Sequence, residues 1–171
     1  MTDPIELDPI AEARRQWIAH GWTDAAGGMT AVTSIMRAHQ LLLARVAHAL
    51  KPLGLTFARY ELLQLLSFTR TGRMPLSSAA RRLQVHQTSV TNTVDRLESA
   101  ALVHREAHPS DGRATLVALT PAGRDLAAQA TRALNESVFA APGLEAADTE
   151  ELISLLTRLR RNSGDPIAPG S

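Results

Sequence analysis

The sequence predicts a mainly α-helical fold interrupted once by a small β-hairpin. Apolar residues recur at helical spacing through most of the chain, and Gly, Pro and Ser/Thr residues mark off these stretches. A single segment breaks the pattern: "HPSDGRATLVALT", His108 to Thr120, runs from turn residues into alternating apolar ones.

The elements follow in order. Ile10, Ala13, Trp17 and Ile18 predict a first helix over Pro9–His20, closed by Gly21, Gly27 and Gly28. Val32, Ile35, Met36, Leu42, Leu43, Val46 and Leu50 form a stripe on a long helix from about Thr30 to Leu50. "KPLGLT" ends it and leaves Thr56 as the N-cap of a third helix, Phe57–Phe68. "RTGRMP" reads as a loop. Ser77 then caps a short helix, Ser78–Leu83, with Leu76 just before it. "QVHQ" is a tight turn, and a longer helix from Gln87 to Ala100 points Val90, Val94, Leu97 and Ala101 inward. Two strands follow, Val103–Glu106 and Ala114–Leu119, joined by the turn-forming "AHPSDG". Thr120–Pro121 sets a capping hydroxyl before proline at the first helical position, and this helix runs to about Phe139, where "APG" breaks it. "DTEE", Asp148–Glu151, has the form of a capping box and opens a last helix through Arg161, with Leu152, Leu155, Leu156 and Leu159 on one face.

Composition narrows the function. The chain has 171 residues, 44% of them hydrophobic, enough for one ordinary core. With no cysteine, disulfides, thiolate metal sites and a cysteine nucleophile are excluded. No apolar run approaches the roughly 18 residues of a membrane span. "MTDPIELDPIAEARRQW" has acids and prolines where a signal peptide would be basic and then apolar, so a cytoplasmic protein without membrane contact is expected. There is no Gly-rich phosphate loop, nucleophile elbow or motif-placed pair of acids, so no enzyme and no cofactor are expected. His39 and His48 have no partner at metal-ligand spacing, and His39 on its apolar stripe reads as an interior histidine.

Charge is unevenly placed. The formal net charge is +1, but Arg70–Arg113 holds seven arginines against four acids, leaving the rest of the chain acidic. A basic centre between acidic flanks suits contact with a polyanion through one face.

That centre has the shape of a helix-turn-helix. With Val90, Val94, Leu97 and Ala101 inward, the opposite face of the longer helix shows Gln87, Thr88, Thr91, Asn92 and Asp95, with Ser89 and Arg96 beside them. Gln and Asn pair bidentately with adenine, and Thr reaches bases or the thymine methyl. The plainer alternative is an ordinary amphipathic helix. Thr and Asn are poor helix formers, so a face chosen for stability alone should be richer in Glu, Lys or Ala. A hairpin directly after this helix makes the unit a winged helix-turn-helix, with Arg113 near the tip of the wing. Arg113 either reaches the minor groove or pairs with Asp111 to stiffen the turn, and one carboxylate can orient the arginine without removing its charge.

The stretches "LGLTFARYELLQLL" and "MPLSSAARRLQVHQTSVTNTVDRLESAALVHREAHPSDGRATLVALTPAGRDL" resemble the MarR family of bacterial transcription regulators, above all in "VTNTVDRLE", "ALV-R" and "D-x-R…L-T-x-x-G". The resemblance spans about Met29 to Arg161. It implies a homodimer on double-stranded DNA, commonly a repressor of a pseudo-palindromic operator that a small aromatic or acidic ligand releases. It divides the chain into dimerisation helices at 1–55 and 121–163, a DNA-binding lobe at 56–120 and a flexible tail at 164–171. Gln87, Thr88, Ser89, Thr91 and Asn92 fall on the reading face, and Arg96, Ser77 and Ser78 on phosphate or supporting positions. Arg113 is the wing arginine and Asp111 its orienting acid. Gly112 stands where the family often has a second arginine, so this wing has one charge fewer.

The N-terminal helix with its tryptophan resembles the urate-responsive branch of the family. That resemblance implies an organic-acid effector held by Trp17, Glu61 and Arg105, with Arg96 or Thr93 at a second arginine position. The alternative makes Trp17 and Trp22 packing anchors of a dimer-stabilising helix. A second function class, a winged-helix interaction or ligand-sequestering module without DNA binding, is opposed by the polar reading face and Arg113. Independently of the family, the apolar stripes on the second and last helices exceed what one small winged domain can bury, which itself points to a dimer.

Overall fold

The computed structural model describes residues 8–109 and 114–165. Seven helices and a three-stranded antiparallel sheet follow in the order α1 (Pro9–Ala19), α2 (Thr23–Leu50), α3 (Phe57–Ser67), β1 (Arg73–Pro75), α4 (Leu76–Leu83), α5 (Gln87–Ser99), β2 (Val103–Ala107), β3 (Thr115–Leu119), α6 (Pro121–Leu134) and α7 (Ala146–Asn162). The mainly helical, winged fold class is as expected. No single helix among the described residues is long and apolar enough to cross a membrane.

Six local expectations are corrected. Gly27 and Gly28 do not end a helix. They lie inside α2, which starts seven residues earlier than expected, just after Gly21 (φ 83°) turns the chain through the left-handed region. Packing decides this. α2 lies along α1 and buries Ala26, and that burial outweighs the roughly 1 kcal/mol per glycine of weak propensity. "RTGRMP" is not only a loop, because Arg73–Pro75 pairs with β3 (Met74 opposite Val117). The same extended backbone carries up to Pro75, so α4 starts at Leu76 and Ser77 sits in its first turn rather than capping it. Ala101 is not inward. It takes φ 57° just beyond α5, is exposed, and hands the buried side to Leu102 and Val103. Finally, α7 begins at Ala146, and Asp148 is an acid in its first turn, not a cap. His39 is exposed rather than interior.

Other signals are realised as read. The Thr56 hydroxyl accepts from the Arg59 N–H, and Thr120 accepts from the Gly123 N–H at 3.0 Å. Sheet order is β1-β3-β2, so β3 is central and buries Leu116, Val117 and Ala118 in succession. Val117 faces the core, whereas Leu116 and Ala118 share the outer face with the paired side chains of Arg73, His104 and Glu106, which defeats simple alternation. The core joins Leu62, Leu63 and Leu66 of α3 to Val90, Val94 and Leu97 of α5, Val103 and Val117 of the sheet, and Ala130 and Leu134 of α6. Each fully buried Leu or Val contributes about 1.5–3 kcal/mol.

The apolar faces of α2 and α7 are not part of this core. Val32, Met36, Leu41 and Leu43 on α2, and Leu152, Ile153, Leu155 and Leu159 on α7, are 41–60% exposed. α7 buries no residue at all. A 17-residue helix that buries no side chain fully is marginal in water. Its approach to α2 leaves an apolar hollow of about 560 Å³ lined by Leu41, Leu42, Leu144, Leu152, Ile153 and Leu156. Arg45 of α2 anchors the bend before α7 by donating to the carbonyls of Ser137 (3.0 Å), Ala141 (2.6 Å) and Pro142 (3.2 Å).

Candidate nucleic-acid interface

The helix-turn-helix is assembled from its inner faces outward. Ala79 and Ala80 of α4 and Val90, Val94 and Leu97 of α5 are buried against the core. Gln84 closes α4 in a left-handed conformation (φ 55°), and the Val85 N–H donates to the Ala80 carbonyl. The turn is therefore built by backbone hydrogen bonds rather than by glycine. His86 caps α5: its ring nitrogen Nδ1 accepts from the Thr88 N–H at 3.3 Å and lies 3.0 Å from the Thr88 hydroxyl. Histidine is not among the preferred N-cap residues, so this role was not legible beforehand.

With that packing, α5 leaves Gln87, Thr88, Ser89, Asn92, Asp95 and Arg96 exposed on its outer side. Thr91 is half-buried, and its hydroxyl donates to the Gln87 carbonyl, so mainly its methyl is displayed. Ser77 and Ser78 lie in the first turn of α4, where backbone N–H groups have no partner within the helix. That arrangement suits a phosphate oxygen. Asp111 and Arg113 lie outside the described residues.

Among the described cavities, none is lined by Glu61 together with Trp17, Arg96 or Arg105. Glu61 lines a small hollow of about 60 Å³ with Ala58, Leu83, Val85, Ser89 and Thr93, and none of Trp17, Arg96 or Arg105 lines it. Ligand cavities usually enclose about 300–1,000 Å³. Burial raises the Glu61 carboxyl above its usual pKa. Trp17 instead meets Trp22 edge-on at 5.2 Å, and His20 stacks on Trp22 at 5.5 Å. Arg96 is exposed on α5, beside an open polar groove shared with Asn92, Asp95 and Ser99.

Arg105 is engaged within the protein. Its guanidinium donates to Asp95 Oδ1 at 2.5 Å and to Glu98 Oε2, and its backbone N–H donates to Glu98 Oε1 at 2.8 Å. The Asp95 hydrogen bond, then Glu98, raises its pKa. On the outer side of the sheet, Glu106 accepts from Arg73 of β1 at 2.9 Å and lies 2.8 Å from His104 Nε2. Arg73 and His104 share a rung, both opposite Ala118. Neither network was read from the sequence. The first had a signal: two acids one helical turn apart near the end of α5, with an arginine seven residues beyond the second.

Comparison with known proteins agrees with this geometry. The family model described as "MarR family" matches residues 55–115. Sco5413, a MarR family transcriptional regulator from Streptomyces coelicolor, is 45% identical with a TM-score of 0.74, covering 83% of this chain and 99% of that one. AbsC, a MarR family transcriptional regulator from the same organism, is 27% identical with a TM-score of 0.67, covering 77% of this chain and 90% of that one. BpsR of Bordetella bronchiseptica, whose DNA binding is regulated by 6-hydroxynicotinic acid, is 25% identical with a TM-score of 0.67, covering 74% and 90%. With a winged helix-turn-helix in place and 45% identity over nearly the whole of one member, the chain belongs to the MarR family of transcriptional regulators.

Proposed function

We propose that this protein is a cytoplasmic, operator-binding repressor that works as a homodimer on double-stranded DNA. The carrying observation is the outer face of α5, where Gln87, Thr88, Ser89 and Asn92 stand exposed above a fully packed inner face. This face enters the major groove. Gln87 and Asn92 read base edges, Thr91 offers its methyl, and Ser77, Ser78 and Arg96 contact phosphates. Arg113, oriented by Asp111, adds the wing contact. The partner is a second copy, because α2 and α7 present apolar faces that no other described residue covers. Residues 1–55 and 121–163 form that interface around the lobe 56–120. The two recognition helices then lie about 34 Å apart, one turn of DNA.

Mobility shift on the DNA upstream of the protein's own gene tests this reading. A retarded complex, weakened by Arg113→Ala with a shallower dependence on salt, is the expected result. Absence of any complex at low salt would sink it and favour an interaction module without DNA binding.

The effector is a small organic or aromatic acid, a reading supported by the regulation of BpsR. Of the two readings of the N-terminal helix, the Trp17–Trp22 contact favours the packing anchor. Calorimetric titration with 6-hydroxynicotinate and urate should give saturable heat, and flat titrations with both would remove this class.

A further inference from the structure

We propose that Arg105 is a positioning residue for DNA reading. By clasping Asp95 and Glu98 of α5 to strand β2, it sets the angle between the recognition helix and the sheet. The proposal rests on the operator-binding reading above and assigns Arg105 a task other than effector binding.

Among the described residues β2 is an edge strand, paired with β3 alone. Arg105 uses its free edge: the backbone N–H goes to Glu98, and the side chain reaches both Glu98 and Asp95. One residue of the sheet thereby makes three hydrogen bonds to the C-terminal half of α5. The guanidinium fork suits two carboxylates in a way that a lysine's point charge does not.

Stability alone is a weak reason for such a clasp. The side chains of Arg105, Asp95 and Glu98 are 28%, 55% and 36% exposed, and ion pairs this wet add little to global stability. Val90, Val94 and Leu97 already hold the helix on the core. They do so with apolar contacts along one side, which resist rolling and tilting less than directional hydrogen bonds do. The clasp supplies that direction at the end of α5 remote from the His86 cap.

The placement also creates an electrostatic conflict that makes the idea testable. Asp95 borders the same outer groove as Asn92 and Arg96. On charge alone, two carboxylates on this helix disfavour a polyanion, so removing them should tighten DNA binding. On the clasp, removing them loosens the helix and weakens specific binding. The two expectations have opposite signs.

The experiment compares the full-length protein with Arg105→Ala, with Asp95→Asn/Glu98→Gln, and with all three substitutions combined. Fluorescence anisotropy at fixed salt would use a duplex selected by the wild-type protein from a randomised pool, and a scrambled duplex of equal composition. The expected result is a loss of about ten-fold on the selected duplex for Arg105→Ala and for the carboxamide pair, the size of one misaligned base contact. The triple variant should be no worse than either, and the carboxamide pair should hold or gain affinity on the scrambled duplex. Tighter binding of the carboxamide pair to the selected duplex would overturn the clasp, as would unchanged binding by Arg105→Ala or multiplicative loss in the triple variant. Should Arg105→Ala fail to fold, the isosteric carboxamide pair decides the question by sign alone. A wild-type protein that selects no sequence refutes the operator-binding reading, which is a different outcome from failure of the clasp.

Discussion

Substituting Gly123 by alanine should destabilise the protein, although helix propensity predicts the reverse. Gly123 is the third residue of α6 and is buried, with helical backbone and no positive φ. In an exposed helix the change to alanine would gain about 1 kcal/mol. Here an added Cβ would lie 2.0 Å from the Leu102 carbonyl oxygen and 2.9 Å from Leu119 Cδ1. Reaching an ordinary C···O separation of about 3.3 Å requires a shift of roughly 1.3 Å. That shift pulls Thr120 off the same carbonyl, which now accepts from its N–H at 3.1 Å and from its hydroxyl at 3.0 Å. Two hydrogen bonds at about 1 kcal/mol each, with overpacking strain of about 1–3 kcal/mol, outweigh the propensity gain and leave a net loss of about 2–4 kcal/mol. For a chain of this size that lowers Tm by about 4–16 °C. The assay is thermal unfolding followed by circular dichroism at one fixed protein concentration, since a dimer's Tm depends on concentration. An unchanged or higher Tm would refute the reasoning. Gly27→Ala serves as the control. Its Cβ meets nothing within 4 Å, so the same substitution should stabilise by up to about 1 kcal/mol.

Glu61→Gln should stabilise the protein at neutral pH. Burial raises the folded carboxyl above its ordinary value of 4.5, so ionisation favours the unfolded chain. The wild type therefore loses stability as pH rises from the unfolded value through the folded one, and the glutamine variant does not. Urea unfolding should show the variant ahead at about pH 7 and level with wild type at about pH 3.5; an equal gap at both would refute the assignment. Arg45→Ala removes three hydrogen bonds at the bend before α7, an effect of about 1.5–4.5 kcal/mol at about 0.5–1.5 kcal/mol each. If that bend aims α7 at a second copy, sedimentation should show dimer dissociation at least about ten-fold weaker. An unchanged dimer would separate the bend from assembly.

Much of the DNA-binding lobe was legible because its signals are local. Thr56 and Thr120 announce helix starts through their own hydroxyls, and Val90, Val94 and Leu97 mark the inner face of α5 by spacing alone. The outer face follows from the inner one, so spacing alone places Gln87, Thr88, Ser89 and Asn92 on it. The failures share a cause. Gly27 and Gly28 are helix breakers by local rule, yet α2, packed on α1, runs through both. Arg73–Pro75 has no strand signature, because three residues become a strand only when β3 lies alongside.

The charged networks divide in the same way. Sequence shows that Arg105, Asp95 and Glu98 exist and are close along the chain, but not that they meet. Only the packing of β2 beside α5 brings its guanidinium onto both carboxylates. Likewise, the excess apolar surface of the second and last helices was countable in advance, whereas tertiary structure decided which of it stays uncovered. Val46 and Leu50 enter the core, and Val32, Met36 and the face of α7 do not. By itself, then, the sequence determined what depends on spacing and residue type: helices, caps, the reading face and the need for a partner. Tertiary structure decided what depends on distance between segments far apart in the chain. Hydrogen bonds and steric contacts act over a few ångströms, and no local pattern encodes which remote groups come that close.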